Sequence, residues 1–323
     1  TFALLTRYSF GSTGSKAASI FVPVVNLGWY TIQAATYGHF VAQVFHMGQV
    51  GEGICMAVSA IVMGIFAMCG IGAITILGYI AIPAIVFLSI ATAIRSLGVI
   101  GGMEALFAYV PSSDMPLFTG ITAVIGTWVL STATCIADIM RYAKDTKAAV
   151  SATLTGLLGG NILMIVCGAI AAIAMQNSDL TVILLGFGLV IPSLILMTTN
   201  IFTTNAANLY STSLNLSNAF KMERKKMLAI LLVLSALATL TKPYEIGFLF
   251  TFLNILGTVV PPLSGIILSD YFLVHKGRYA AYDKASFCTW NPVPWSTWAI
   301  SIALVYMIPF GLPSLNGIIL GAV

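Results

Sequence analysis

The chain has 323 residues, of which 59% are hydrophobic and only 7% are charged. Because a soluble domain is about half apolar and about a quarter charged, this composition excludes a soluble protein and indicates a polytopic membrane protein. The formal net charge of +4 does not indicate nucleic-acid binding, since the basic residues are divided among short loops and do not form one patch.

Apolar segments about twenty residues long follow one another along the chain, each long enough to cross a bilayer as a helix. They are predicted at residues 18–45, 51–70, 73–95, 117–140, 148–175, 180–212, 226–241, 245–274 and 292–311, and a tenth begins near residue 314. The connections between them are short, so residues 1–323 are predicted to form a single transmembrane domain of the all-α class.

Basic residues occupy alternate loops, which predicts the orientation of the chain. One side holds twelve of the 14 Lys and Arg residues: Arg7, Lys16, Arg141, Lys144, Lys147, Lys221, Arg224, Lys225, Lys226, Lys276, Arg278 and Lys284. The other side holds Arg95 and Lys242. Because cytoplasmic loops of membrane proteins are enriched in Lys and Arg, residue 1 is predicted to lie on the cytoplasmic side.

The first span contains the stretch "NLGWYTIQ", which places Asn26, Trp29 and Gln33 on one face of a helix. An aromatic plane between two amides suits a planar ligand that stacks and hydrogen-bonds along its edge. The alternative is that Trp29 belongs to an aromatic belt at the membrane surface. Trp29 lies about eleven residues into the span, away from both surfaces, and the two interpretations remain open.

The fourth span contains a second tryptophan in the middle of the membrane, in the stretch "GTWVLSTAT". Trp128 is followed by Ser131, Thr132 and Thr134, so Trp29 and Trp128 are candidates for the two walls of one flat slot. Small and hydroxyl residues here, and the stretch "GTVVPPLSG" in the eighth span, predict broken or kinked helices. Transporters use such breaks to expose backbone groups to substrate and ion.

The sixth span carries an uncharged polar stripe, "NIFTTNAANLY". Asn200, Thr203 and Thr204 share one helix face, and their neutral oxygens suit a hard monovalent cation. The alternative is a helix–helix contact, in which Ser, Thr and Asn are common. Asn205 and Asn208, on a neighbouring face, each offer a donor and an acceptor to a neutral heterocycle.

The remaining reactive residues do not form a catalytic or metal pattern. The five cysteines show no CxxC spacing, the three histidines are scattered, and no nucleophile or phosphate-loop motif is present. Asp138 and Asp270 lie near span ends, where a salt bridge or cap is the expected role. We therefore predict that the protein is not an enzyme, has no organic cofactor and has no obvious proton relay.

Seven stretches together resemble the nucleobase:cation symporter-1 family of purine and cytosine permeases, most closely its cytosine permease branch. In order, they are "LLTRYSFGSTGS", "NLGWY", "AIPAI", "ADIMRYAKDTKAAV", "LGGN", "NIFTTNAANLYS" and "PPLSGIILSDYF" followed by "RY". Each stretch is short, but they occur in family order from residue 3 to about residue 280. The resemblance therefore covers nearly the whole chain.

This resemblance implies a twelve-helix, multi-pass transporter of the LeuT-like inverted-repeat fold, located in the plasma membrane, the inner membrane of a bacterium. The chain would cover roughly helices 3–12, with two helices before residue 1 and the end of the last helix beyond residue 323. The family's sodium site falls on Asn200, Thr203 and Thr204, together with the unwound first helix, and Asn205 matches the amide that contacts the base. Without the first two helices, this chain is not expected to transport.

The match has departures that leave the substrate open. Where cytosine permeases have Gln-x-x-Trp, this chain has Asn26 and Trp29, while Trp29 with Gln33 fits the Trp-x-x-x-Gln of hydantoin permeases. The family's stacking aromatic aligns with Val129, one residue beyond Trp128. One residue turns a helix by about 100°, so stacking by Trp128 requires an unwound segment.

The resulting expectation is a monomeric sodium symporter that imports a neutral nucleobase, cytosine or a related base, by alternating access and has no nucleic-acid partner. Its predicted substrate-binding residues are Asn26, Trp29, Gln33, Trp128, Ser131 and Asn205, and its predicted sodium ligands are Asn200, Thr203 and Thr204. The alternative is a proton-coupled transporter of the same fold for a ring such as allantoin or hydantoin. A channel is less favoured, because the sequence shows no charged ring or repeated constriction.

Overall fold

The computed structural model describes residues 2–111, 115–177, 180–280, 282 and 285–323. For residues 2, 3, 19, 126–135, 137, 138, 180 and 181 it describes the backbone alone. Throughout these ranges the chain forms helices joined by short connections, and the described residues contain no strand. The predicted all-α class is therefore confirmed.

The described helices follow the apolar segments closely. They are α1 (Phe2–Val44), α2 (Gln49–Met68), α3 (Ile71–Ile100), α4 (Met103–Phe107), α5 (Leu117–Met140), α6 (Thr146–Leu154), α7 (Asn161–Met175), α8 (Leu180–Gly186), α9 (Val190–Phe220), α10 (Arg224–Thr239), α11 (Ile246–Val259), α12 (Pro261–Ser269), α13 (Pro292–Met307) and α14 (Pro313–Ala322). A π-helical turn at Thr155–Gly160 joins α6 to α7, and another at Asp270–Val274 ends α12.

Two of the predicted spans differ from the structure. The candidate span 180–212 is divided into α8 and α9, and the division lies not at the polar stripe but at Gly188, which has a φ of 67°. Gly188 adopts this left-handed conformation without steric cost, which permits the break. The backbone of α5 is a continuous helix through residues 126–135, so the break predicted in the fourth span is wrong. The predicted break at "GTVVPPLSG" is confirmed, because α11 ends before Pro261.

The long helix α1 is interrupted near its start at Gly11, whose φ is 81°. The helix that restarts there has unpaired N–H groups in its first turn. Those of Ser12 and Thr13 donate to the carbonyl oxygens of Cys288 and Thr289, both at 2.8 Å. The loop before α13 thus fixes the entry to the first membrane span.

The main core is formed by α1, α2, α9 and α10, each of which contacts the other three. Buried side chains of this core include Tyr30, Phe40, Met63, Met197 and Leu209. Because α9 carries 15 buried residues, including Asn205, Asn208 and Asn215, it lies at the centre of the fold despite its polar stripe. A second core joins α1 to α11 and α12. It contains Phe10 and Val22 of α1, Leu256 of α11 and Leu263 of α12.

Among the described residues, four helical stretches are long and apolar enough to cross a membrane, by length and composition: Gln49–Met68, Ile71–Ile100, Thr146–Met175 and Ile246–Val274. Large apolar side chains project outward from these segments, among them Ile76, Phe87 and Phe248. An exposed apolar surface of this extent requires lipid as its solvent. The structure therefore agrees with the membrane location predicted from composition.

Candidate substrate and ion site

α1 and α9 pack antiparallel along most of their length, and polar contacts mark their register. Tyr37 bonds Thr198 (2.8 Å), Asn205 Nδ2 donates to the carbonyl of Tyr30 (3.1 Å), and the Thr212 hydroxyl donates to the carbonyl of Pro23 (3.5 Å). Successive contacts are seven residues apart on both helices, which is two helical turns. The α1 residues 26–33 and the α9 residues 200–208 therefore lie at matching levels in the bundle.

The α1 side of this region presents Trp29 and Gln33, both half-buried, beside the fully buried Asn26. The Trp29 ring packs edge-to-face against Phe252 of α11, with ring centroids 5.5 Å apart. Its buried Nε1 has no hydrogen-bond partner among the described residues, and neither has the buried Oε1 of Gln33. A tryptophan packed against another helix in mid-span favours an interior role over the aromatic belt.

The α9 side presents the predicted ion stripe. Asn200, Thr203 and Thr204 are half-buried, whereas Ile201, Phe202 and Asn205 on the other side of the helix are buried. The Thr203 hydroxyl donates to the carbonyls of Thr199 and Asn200, both at 2.9 Å, and the Thr204 hydroxyl donates to that of Asn200 at 3.0 Å. With their hydrogens directed at the backbone, both hydroxyl oxygens retain lone pairs that can accept a cation.

Asn205 lies in the α1–α2–α9 interior and is fully buried. Its amide nitrogen donates to the Tyr30 carbonyl (3.1 Å) and to the Met63 sulfur (3.2 Å). Both amide hydrogens are therefore used by the protein, and the Oδ1 atom has no partner in the described part of the chain. In this conformation Asn205 can offer a ligand only an acceptor.

Asn208 follows one turn later on α9 and is 4% exposed. An amide side chain offers two donor hydrogens and an acceptor oxygen. The sequence indicated Asn208 as an amide suited to a heterocycle, and the structure places it on the buried face of α9.

The predicted substrate residues on α5 lie in the segment for which the structure describes the backbone alone. Trp128 and Ser131, together with Val129, Thr132 and Thr134, lie outside the described side chains. Their backbone is helical without interruption. The unwound segment that would bring Trp128 to the position of Val129 is therefore absent from this conformation.

Sequence reasoning missed a cluster of Arg and Tyr side chains at the end of the bundle that holds the basic loops. Arg141, just after α5, donates to the hydroxyls of Tyr142 (2.6 Å) and Tyr210 (3.1 Å). Arg224 lies over the Tyr210 ring, 4.6 Å from its centroid, and donates to the Ala67 carbonyl at 2.7 Å. Hydrogen bonds with the Tyr210 hydroxyl and the Arg141 guanidinium lower the pKa of Tyr142. The cluster joins α5, α2, α9 and α10.

Of the two acids singled out from the sequence, Asp138 and Asp270, the structure describes the side-chain contacts of Asp270. Asp270 accepts a hydrogen bond from Tyr279 (2.7 Å), and its Oδ2 lies 3.5 Å from His275 Nδ1. These contacts agree with the predicted salt bridge or cap. The side chain of Asp138 lies outside the described set. Among the described residues no group of three His, Cys, Asp or Glu side chains could hold a metal ion.

Comparison with known proteins places this arrangement among permeases. A family model for permeases of cytosine/purines, uracil, thiamine and allantoin matches residues 1–315. The cytosine permease of Escherichia coli (strain K12) is 29% identical over 319 residues, which cover 99% of this chain and 74% of that protein. The hydantoin permease of Microbacterium maritypicum is 28% identical over 222 residues, covering 60% of this chain and 45% of that protein.

Solved structures with the same fold include Mhp1, a nucleobase-cation-symport-1 family transporter. Its closed conformation with bromovinylhydantoin bound has a TM-score of 0.81 at 19% identity, covering 99% of this chain and 76% of that chain. Its inward-facing conformation has a TM-score of 0.82 at 21% identity, covering 99% and 75% of the two chains. The predicted transporter fold is confirmed by these likenesses.

Proposed function

Because the chain belongs to the family of permeases for cytosine/purines, uracil, thiamine and allantoin, we propose that it is a secondary active transporter that imports a neutral nucleobase by sodium symport. The substrate would bind between α1 and α9, with the indole of Trp29 beside it and the Trp29 Nε1 donating to the edge of its ring. Asn26, Gln33, Asn205 and Asn208 would hydrogen-bond its edge. Trp128 and Ser131 of α5 would complete the site from the opposite wall.

The observation that carries this proposal is the set of buried polar atoms at matching levels of α1 and α9. The Nε1 of Trp29 is a donor, and the Oε1 of Gln33 and the Oδ1 of Asn205 are acceptors, none with a partner among the described residues. Leaving such atoms unpaired in a membrane interior is costly. A neutral heterocycle with both donors and acceptors along its edge would satisfy them without introducing a charge.

Sodium is the ion that suits the stripe on α9. Asn200, Thr203 and Thr204 offer an amide oxygen and two hydroxyl oxygens, all uncharged and on one helix face. Hard cations prefer oxygen ligands, and this face of α9 supplies three of them without a charge. The ion is carried with the substrate, so it is a second cargo of the transporter.

Coupling would follow from alternating access. If sodium and substrate both stabilise one conformation, each increases the affinity of the protein for the other by the same factor. The ion ligands and the substrate amides are on the same helix, α9, and Asn205 adjoins Thr204. A shared helix is a direct physical route for this linkage.

The second candidate function is a proton-coupled transporter of a ring such as hydantoin or allantoin. Its cargo, though not its driving ion, is favoured by the four-residue spacing of Trp29 and Gln33 and by the similarity to hydantoin permease over 222 residues. An allantoin permease of Bacillus subtilis (strain 168) is also similar, at 24% identity over 246 residues. This candidate differs from the first in both cargo and driving ion.

Uptake of radiolabelled bases by the full-length protein in proteoliposomes separates the two candidates. The first predicts that an inward sodium gradient drives accumulation of cytosine or a related base and that a proton gradient without sodium does not. Accumulation driven by protons alone, or of hydantoin or allantoin in preference to every nucleobase, would replace the first candidate by the second. The absence of saturable uptake with any of these rings would refute both.

A further inference from the structure

We propose that Glu52 is a positioning residue for transport. It holds the segment 242–245 in place and thereby positions α11 against the part of α1 that contains Trp29. The proposal rests on the proposed function, because Trp29 is one of the proposed substrate-binding residues. Glu52 lies in the first turn of α2, at the end of the bundle opposite the basic loops.

Glu52 is the centre of a cluster to which three parts of the chain contribute. Its Oε1 accepts hydrogen bonds from the Tyr244 hydroxyl (2.6 Å) and from Nδ1 of His39 on α1 (2.8 Å). Its Oε2 lies 3.6 Å from Nζ of Lys242. The carboxylate side chain is only 12% exposed, so this ion pair is more strongly held than one on a surface.

The aromatic rings in the cluster add to this contact. His39 and Tyr244 stack with centroids 4.3 Å apart and planes inclined by 22°. The cluster thus connects helices α1 and α2 of the main core to the segment between α10 and α11. In that segment Lys242 has a left-handed φ of 55°. A bulky residue at such a φ is strained, and the pairing with Glu52 helps to hold it there.

The segment held by Glu52 leads directly into α11, which begins at Ile246. Phe248 and Phe252 of α11 border a cavity of about 250 Å³ whose other walls include Gly28 and Thr31 of α1. Phe252 also packs on Trp29, with centroids 5.5 Å apart. A shift of α11 would therefore change both the cavity and the contact on the candidate stacking residue.

The contact between α11 and α1 is close enough to be sensitive to such a shift. A Cβ atom at Gly28 would lie 3.1 Å from the Phe252 ring, so this ring lies close against the backbone of α1. Thr31, one turn away, is 7% exposed, and its hydroxyl donates to the Leu27 carbonyl (2.8 Å) and to the Ser235 hydroxyl of α10 (3.2 Å). It lines the cavity together with Phe248 and Phe252 of α11, so a cysteine at position 31 is expected to become more accessible once α11 moves.

The test measures the rate at which a water-soluble maleimide modifies Thr31→Cys in the full-length protein, with its native cysteines replaced by serine. Glu52→Gln is expected to accelerate modification about tenfold. It removes the negative charge that attracts Lys242, and it weakens the hydrogen bonds from Tyr244 and His39, which that charge strengthens. Tyr244→Phe, which removes one hydroxyl, is expected to give a smaller acceleration. The double variant should be no faster than Glu52→Gln, since both changes release the same segment.

The matched control is Glu104→Gln, the same chemical change at an exposed acid of α4, outside the cluster. It should leave the modification rate unchanged. Equal rates in Glu52→Gln, Tyr244→Phe and the parent would overturn the proposal, as would an equal acceleration by Glu104→Gln. If Glu52→Gln does not fold, Tyr244→Phe alone decides the matter.

Labelling uses neither substrate nor sodium, so its outcome does not depend on whether the protein is a sodium symporter. Where uptake is measured, Glu52→Gln should raise the KM for substrate severalfold while the sodium requirement is retained. A variant whose apparent kcat falls in proportion to its loss of folded protein while its KM is unchanged would instead indicate a purely structural role and contradict the proposal.

Discussion

The hydroxyl groups of Thr203 and Thr204 are the residue-scale basis of the proposed ion coupling. Replacing both by valine keeps their shape and removes the two oxygens. We expect the sodium concentration needed for half-maximal uptake to rise at least about tenfold, because two ion ligands are lost. Uptake measured against sodium concentration tests this.

The control is Thr199→Val, one turn earlier on α9, where the hydroxyl donates to the Ile195 carbonyl at 2.7 Å. It should leave the sodium dependence unchanged. An unaltered sodium requirement in the Thr203→Val, Thr204→Val protein would show that the ion binds elsewhere.

The Nε1 of Trp29 provides a second prediction at this scale. Trp29→Phe retains an aromatic ring and removes the donor, so substrate affinity should fall by roughly threefold to tenfold, the range for one neutral hydrogen bond. Trp298→Phe is the matched control, because its Nε1 donates to the Val259 carbonyl at 2.8 Å. Equilibrium binding should weaken only in the first variant, and equal affinities would remove Trp29 from the hydrogen-bonding set.

The residues of the candidate site were predictable from the sequence to the extent that helical periodicity governs them. Asn26, Trp29 and Gln33 share one face by spacing alone, as do Asn200, Thr203 and Thr204. The use of both Asn205 amide hydrogens by Tyr30 and Met63 was not predictable, because it arises from the tertiary packing of α1, α2 and α9. The Glu52 cluster was missed for the same reason, since its members are distant in sequence.

Close helix contacts at glycine determine how the elements assemble. A Cβ atom at Gly38 of α1 would collide with the backbone of Met56 on α2. Gly38→Ala should therefore lower stability by roughly 1–3 kcal/mol, the cost of overpacking a tight contact. Gly78→Ala in α3 is the control, because no atom lies within 4 Å of its Cβ position.

Thermal unfolding of the two glycine variants in one detergent provides the measurement. The melting temperature should fall for Gly38→Ala and stay the same or rise slightly for Gly78→Ala, since alanine favours helix over glycine. Equal melting temperatures would mean that α1 and α2 separate more easily than their packing indicates.

At the element scale, the positions of the spans were well predicted, whereas of their internal breaks only the one at "GTVVPPLSG" was. The span 117–140 coincides with α5, because twenty or more apolar residues have to form a helix where lipid offers no hydrogen bonds. The division of residues 180–212 into α8 and α9 depends on the backbone at Gly188, which hydropathy does not show. The continuity of α5 likewise depends on neighbouring helices, since hydroxyl residues tolerate a break without requiring one.

At the scale of the whole molecule, the charged side chains are divided between the two ends of the bundle. Arg141 and Arg224 meet at Tyr210 at one end, whereas Lys242 pairs with Glu52 at the other. This division agrees with the alternation of basic loops along the sequence. The prediction that the Arg141 end is cytoplasmic would be tested by labelling single cysteines at Lys226 and Glu245 in right-side-out vesicles. Only the cysteine at position 245 should react, and the reverse pattern would invert the topology.

The central claim is that one protein binds a neutral nucleobase and sodium together. The most direct test is the thermal stability of the full-length protein in detergent with a panel of bases, in sodium and in potassium, because a ligand bound to the native state raises the melting temperature. We predict that cytosine or a related base raises it strongly in sodium and weakly in potassium. An equal rise in both salts would contradict sodium coupling, and the lack of a rise with every base would contradict the nucleobase assignment itself.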